Sequence, residues 1–269
     1  AGCNDCLFEY NELHNLALKE GDTGAFYGTR DWSTYGNVFR YNFIHHAQRA
    51  NGFYCDDGNS GYVHHHNVVH NTICALKFGG GHHNIGRNNL LIKNEFQRID
   101  DRGIARNYYL GTKYEDRLTR FKPFEEPWAS YGKRLRERFG IQDDLWADIL
   151  REEWHPEWPN GSKMIDNVSV QNGIFRSPPH GRVEVARNTV IEKVDDAGFY
   201  DYAQMDLRTD DRRVLEKIPV LNEIMPKMGL QPDSYRRAVP DRADVGGLSN
   251  RGEAADPWDE DQLLDRTVR

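Results

Sequence analysis

VFRYNFIHH (residues 38–46), VHHHNVVHN (63–71) and IGRNNLLIKN (85–94) are one phrase written three times. Each opens on an apolar residue, reaches Asn four positions later and continues in alternating apolar residues. LFEYNELHN (7–15) precedes them; MIDNVSVQN (164–172) and VEVARNTVIEK (183–193) follow. Aligning Asn11, Asn42, Asn67, Asn89, Asn167 and Asn188 gives steps of 31, 25, 22, 78 and 21. Short alternating strands repeating near 22 residues, with Asn and Gly at the turns, predict a parallel β-helix. The Asn residues then have a structural duty. Asn tolerates left-handed backbone at a tight turn, and its amide can bond the amide one coil above.

The step of 78 is one coil plus an insertion. Residues 105–160 supply it, with a more aromatic and charged composition broken by Pro123, Pro127, Pro156 and Pro159. SYGKRLRERFG (130–140) and DDLWADILREEW (143–154) have helical spacing, with Leu145, Trp146, Ile149 and Leu150 on one stripe and Asp143 as N-cap. That stripe reads as core rather than a sugar platform. The chain therefore divides into coils over 1–104, the insertion over 105–160, last coils over 161–211, and a cap with a polar tail over 212–269. DDAGFYDYAQMDLRTDD (195–211) reads as the final coil and cap. Asn11 already belongs to a repeat, so its coil presents a bare sheet edge; a further N-terminal β-helix portion or a capping partner is expected there.

Composition narrows the classes. The 269 residues are 38% hydrophobic and 29% charged, and no window approaches the roughly 20 apolar residues that cross a bilayer. A net charge of −7 argues against a nucleic-acid binder, which needs a basic face. Cys3 and Cys6 form a lone CxxC with no second pair, and Cys55 and Cys74 read as buried thiols. In the His-rich runs, strand alternation sends neighbours to opposite faces, and no zinc spacing emerges.

Stacking the coils suggests a site. Asp31, Asp57, Gly79 and Asp101 follow one another at 26, 22 and 22 residues, and so stack in one column. Strands lie about 4.8 Å apart, which leaves Gly79-Gly80-Gly81 as a bare floor between Asp57 and Asp101. Glycosidases place two carboxyl groups roughly 5–5.5 Å apart for retention and 6.5–9.5 Å apart for inversion. Asp31 with Asp57 suits the first, Asp57 with Asp101 the second. Arg30, Trp32, Lys77, His82, His83 and Arg102 stand beside them to hold a saccharide over the glycines. Adjacent carboxylates repel unless protonated or cation-bound, so calcium on Asp31, Asp56 and Asp57 is the alternative; otherwise no cofactor is expected.

GDTGAFYGTRDWSTYGNVFRYNFIHH, GFYCDDGNSGYVHHHNVVHN, ALKFGGGHHNIGRNNLLIKN, the following RIDDRG and the later NGSKMIDNVSVQN together resemble bacterial right-handed parallel β-helix carbohydrate-active proteins of the pectin-lyase-like kind. Glycoside hydrolase family 141 is the group they resemble, over about residues 5–237. The resemblance implies an all-β, right-handed parallel β-helix (a solenoid) with a helical insertion and a short C-terminal cap. It implies a secreted or periplasmic enzyme acting on complex polysaccharide, with Asp57 in CDDG and Asp101 in DDRG as the catalytic pair. Two alternatives stand beside it. One is a calcium-dependent polysaccharide lyase in which Lys77 or Arg102 abstracts the C5 proton. The other is a non-catalytic, glycan-binding or structural β-helix.

Overall fold

The computed structural model describes residues 3–17, 19, 21–28, 30–106, 110–141 and 144–243. Three parallel sheets carry the chain. Sheet one stacks Leu7–Glu9, Val38–Arg40, Val63–His65, Ile85–Arg87, Lys163–Ile165 and Glu184–Ala186. Sheet two stacks Glu12–His14, Phe43–Ala47, Val68–Thr72, Leu90–Ile92, Val168–Val170 and Thr189–Ile191. Sheet three stacks Gly24–Gly28, Asn51–Cys55, Cys74–Gly79, Phe96–Asp100 and Phe175–Arg176. The chain visits the sheets in rotation, an arrangement consistent with a parallel β-helix.

Alternation decides which side chains face inward. Ile44, Val69 and Leu91 align in sheet two and meet Phe39 and Met164 of sheet one and Phe53, Leu76, Phe78 and Ile99 of sheet three in one core. His64 shares that core, and burial pushes its pKa down to about 3, so it packs as a neutral ring.

The asparagines form a ladder. The backbone N–H and Nδ2 of Asn42 both donate to Oδ1 of Asn67, each at 3.0 Å. Asn67 repeats this to Asn89, Asn89 to Asn167 and Asn167 to Asn188. The second Nδ2 hydrogen reaches a carbonyl of the neighbouring coil, as from Asn67 to Phe39 at 2.9 Å. Buried amides are thereby satisfied by partners within the chain. The left-handed residue of this corner is not Asn itself but the one before it: Tyr41, His66, Asn88 and Asp166 have φ of 53–56°. Asn keeps ordinary backbone and spends its amide on the ladder. A second ladder, Thr72–Asn94–Asn172, runs at the next corner.

The insertion starts directly after sheet three, at residue 101 rather than 105. It comprises α1 (Arg102–Ala105), α2 (Lys113–Arg120), α3 (Trp128–Phe139), α4 (Leu145–Ile149) and a 3-10 turn at Glu152–Trp154. Tyr114, Leu118, Tyr131, Leu135, Leu145, Trp146, Ile149 and Trp154 close over Trp32 and Tyr35 in a separate core. The Trp146 stripe is core, as its spacing suggested. Asp144 caps α4, its Oδ1 accepting from the N–H of Trp146 and Ala147 at 3.0 and 3.1 Å; Asp143, the expected cap, lies outside the described residues.

Residues 195–211 are not a last coil. Phe199–Asp201 pairs antiparallel with Asp206–Thr209, and α5 (Arg212–Leu215) and α6 (Leu221–Ile224) follow. Met205, Leu207, Val214, Ile218, Leu221 and Met225 pack against Phe43, Val68, Leu90 and Val168 on the outer side of sheet two. This strap returns to the first coil, where the Gly229 N–H donates to the Tyr10 carbonyl at 2.9 Å and Arg242 reaches Glu12 at 3.0 Å. Its apolar residues cover a side of the stack, not its end. No described helix is long and apolar enough to cross a membrane.

Candidate functional site

Sheet three carries the candidate site on its outer face. Because Phe26, Phe53 and Leu76 face inward, their neighbours Tyr27, Tyr54 and Lys77 face out, and the register continues that row to Arg98 and Arg176. One residue further along the strands Cys55 pairs with Phe78, and two residues further Gly79 pairs with Asp100. Asp56 and Asp100 therefore flank Gly79. The expected column, Asp31–Asp57–Gly79–Asp101, is one residue out of step, and in a strand one residue is the difference between two faces.

The floor over Gly79 is not bare. Arg102, from the first turn of α1, lies across it: a Cβ at Gly79 would stand 3.1 Å from the guanidinium carbon. Its Nε and Nη2 donate to the two oxygens of Asp100 at 2.9 and 2.8 Å. Nη1 reaches Asp56 at 3.2 Å, Asp57 at 3.1 Å and the Tyr54 hydroxyl at 3.3 Å. Burial opposes the Arg102 charge, but Asp100 outweighs it and raises the pKa further. The missing side chain at position 79 makes room for the chain's own cation, not for a sugar ring.

Asp56 and Asp57 are both buried. Asp56 accepts from the Tyr27 hydroxyl and from Arg30 at 3.2 Å. Burial alone would raise its pKa; hydrogen bonds from Tyr27, Tyr54 and Arg30 overcome that and lower it. Tyr27, half-exposed, is pushed up to about 12 by burial and by the carboxylate it faces, so it stays protonated. Asp57 meets Arg30 at 3.3 Å and Arg106 at 3.1 Å on the solvent side. Both arginines are exposed over about half their surface. Two carboxylates thus sit beneath a cover of guanidinium groups that is open to solvent.

Asp101 stands apart from this network. Its Oδ2 accepts from Nδ1 of His180 at 2.7 Å, and His180 comes from the corner of the next coil. The His180 ring centroid is 5.9 Å from that of Trp158, whose other neighbour is His155, stacked at 4.0 Å. Asp31 is a turn residue: its Oδ1 accepts from the Ser33 N–H and hydroxyl at 2.9 and 2.6 Å. It does not join Asp56 and Asp57. Among the described residues no three His, Cys, Asp or Glu side chains are arranged to hold a metal ion.

Lys77 sits 3.8 Å above the Tyr54 ring and 3.8 Å from Asp22, its pKa lowered by burial and by Arg102. Other expected sugar contacts are walled off. Trp32 is fully buried against Tyr114 and His82. His82 donates from Nε2 to the Pro156 carbonyl, and His83 bonds the Tyr35 hydroxyl beneath Trp154. Burial lowers their pKa values to about 4 and 3. Gly80 and Gly81 are buried as well. Gly81 has φ of 92°, and a Cβ there would lie 2.3 Å from the Asn59 carbonyl oxygen, so its glycine serves the packing of coils.

Of the residues expected at a site, the structure brings together Asp57, Arg30, Arg102, Lys77 and Gly79. It adds Tyr27, Tyr54, Asp100 and Arg106, moves Asp56 to the centre, and places Asp101 with His180. Strict alternation through GAFYG, NGFYC and CALKFG would have found Tyr27, Tyr54 and Asp56; nothing in the sequence links His180 to Asp101. No protein-family model matches the chain, and no curated protein or solved structure matches it significantly.

Proposed function

We propose that this chain is a right-handed parallel β-helix and a carbohydrate-active enzyme, a glycoside hydrolase working on complex polysaccharide in a secreted or periplasmic setting. One observation carries the reading: two adjacent buried carboxylates, Asp56 and Asp57, lie at the end of a long outward sheet face beneath half-exposed arginines. Asp57 acts as base or nucleophile at the sugar, stabilising positive charge at the anomeric carbon. Asp101, with the imidazole of His180, supplies the proton to the leaving oxygen. Arg30 and Arg106 turn from Asp57 toward sugar hydroxyls as substrate arrives. The resemblance of the coil segments to glycoside hydrolase family 141 points to the same chemistry.

A lyase is the second reading, favoured by Tyr27 and Lys77, which stand on one outward row of sheet three beside the buried carboxylates. The arginines that hold Asp56 and Asp57 would neutralise a uronate carboxylate in place of calcium. The test is incubation with a polysaccharide panel, following new reducing ends and, separately, ultraviolet absorbance of an unsaturated product. Reducing ends without that absorbance support hydrolysis; absorbance that survives EDTA supports a metal-free lyase. Turnover of none of the panel by the intact chain counts against both.

A further inference from the structure

Histidines form a row on the outer face of sheet two, the side that the strap covers. His14, His45 and His70 lie opposite one another in register, so their strands are about 4.8 Å apart. His14 stacks on His45 at 5.1 Å, and the ring of His46 stands 5.9 Å from that of His70. Two fastenings of the strap run into this cluster. The Tyr202 hydroxyl meets His70 Nε2 at 2.7 Å. Arg242 meets Glu12 at 3.0 Å, on the same oxygen that takes His45 Nε2 at 2.9 Å. The geometry leaves these rings no room for a further proton. Nδ1 of His70 is buried and unbonded, so a proton placed there would be a donor facing no acceptor. Glu12 takes the Nε2–H of His45, which leaves His45 Nδ1 to accept from His46 Nδ1 at 2.7 Å. A second proton in that gap would set one N–H against another. Lys93, over the Tyr202 ring, and Arg242 add positive charge nearby. Burial first, then neighbouring imidazoles, pushes the pKa of His70 down to about 3 and that of His46 to about 4; burial lowers His45 as well.

We propose that His45, His46 and His70 are an acid-sensitive latch: on protonation they lift strap residues 199–209 and 225–242 from the first three coils, uncovering Phe43 and Val68 while the coils stay folded. The latch is independent of the carbohydrate reading, since it uses no residue of sheet three. It is also separate from His64, which lies in the inner core, and from His82 and His83, which lie under the insertion. Its sign follows from the lowered pKa values. The docked strap is complete above about pH 6.5, the value of a free imidazole. Below that, each ring held neutral shifts the balance toward the lifted strap about tenfold per pH unit, until its own lowered pKa is reached. Glu12 works in the same direction, because acid that neutralises it releases both His45 and Arg242.

The test is hydrogen exchange of the whole chain, read by mass spectrometry from about pH 7 to about pH 4.5, with each rate divided by the intrinsic rate at that pH. Peptides spanning 199–209 and 225–242 should lose protection by about tenfold or more on reaching about pH 5. Peptides spanning 85–92 and 163–170 should keep theirs, and strap protection should return at neutral pH. His46→Asn with His70→Gln removes two of the three titrating rings. Asn suits the left-handed backbone at position 46, where φ is 50°, and Gln offers Tyr202 a hydrogen bond without a charge. In this variant the strap should open about one pH unit lower. His46→Asn alone, at the half-buried ring, should give a smaller shift in the same direction, and it decides the matter if the double variant does not fold. Strap and coil peptides opening together would mean global unfolding and no latch. Strap protection unchanged throughout the range, or wild-type pH dependence in a folded variant, overturns the proposal equally.

Discussion

At the scale of single residues, the proposed chemistry adds a second duty to the ion pairs Asp57 makes, and one substitution will test both together. Asn keeps its size but removes the charge facing Arg30, Arg102 and Arg106. Asp57→Asn should lower turnover on a confirmed substrate by at least about 10²-fold. It should also cost about 1–3 kcal/mol of stability, since buried charge-assisted bonds are lost. The variant is therefore compared by kcat below its own melting temperature. Asp101→Asn should lower turnover similarly while leaving thermal unfolding nearly unmoved, because the Asp101 side chain is part-exposed and, among the described residues, bonds His180 alone. Wild-type rates in both variants would move the chemistry elsewhere. Asn67→Leu tests the ladder: it strips the acceptor from two donors of Asn42, and calorimetry should show a loss of about 2–4 kcal/mol.

Elements were legible in proportion to how local their cause is. The coils could be read because each Asn must meet the next, which fixes spacing and leaves a visible period. The site was read one residue off because the corners after sheet three vary in length, so counting back from Asn does not locate the strand end. Alternation within NGFYC and CALKFG is the better guide, and it puts Asp56 and Asp100 beside Gly79. The strap was misread because its apolar residues satisfy the outside of sheet two, a surface whose own sequence shows only more apolar strand. At α4 the local rule held one position along. Asp144→Ala should cost about 1 kcal/mol by removing the acceptor of two N–H groups, visible as a lowered unfolding midpoint.

For the whole molecule, buried neutral histidines set the response to acid. His64, His82 and His83 have pKa values lowered to about 3, 4 and 3, against roughly 6.5 in an unfolded chain. Between those limits the unfolded chain binds protons that the folded chain refuses. The stability they contribute is complete above about pH 6.5 and is lost as pH falls toward 4 and then 3. Each such histidine removes up to about 1.4 kcal/mol per pH unit in that window. Glu12 and Asp56, with lowered pKa values, lose their contribution in the same direction at lower pH. The melting temperature should therefore fall steeply between pH 6 and 4; a flat profile there would mean that these rings are not buried as described.

The Asn89–Asn167 rung spans the insertion, yet its two bonds, 3.0 and 2.9 Å, match those of rungs joining coils with short corners. The corner that takes five residues after Gly79 takes residues 101–162 one coil later. By loop-closure entropy that difference costs only about 2 kcal/mol, and the insertion's separate core offsets it. The scaffold is thus indifferent to the cargo hung at this corner. The insertion lowers Arg102 onto Gly79 while the asparagine ladder runs past it unbroken. What holds the stack together and what this corner carries are thus set by different residues of the chain.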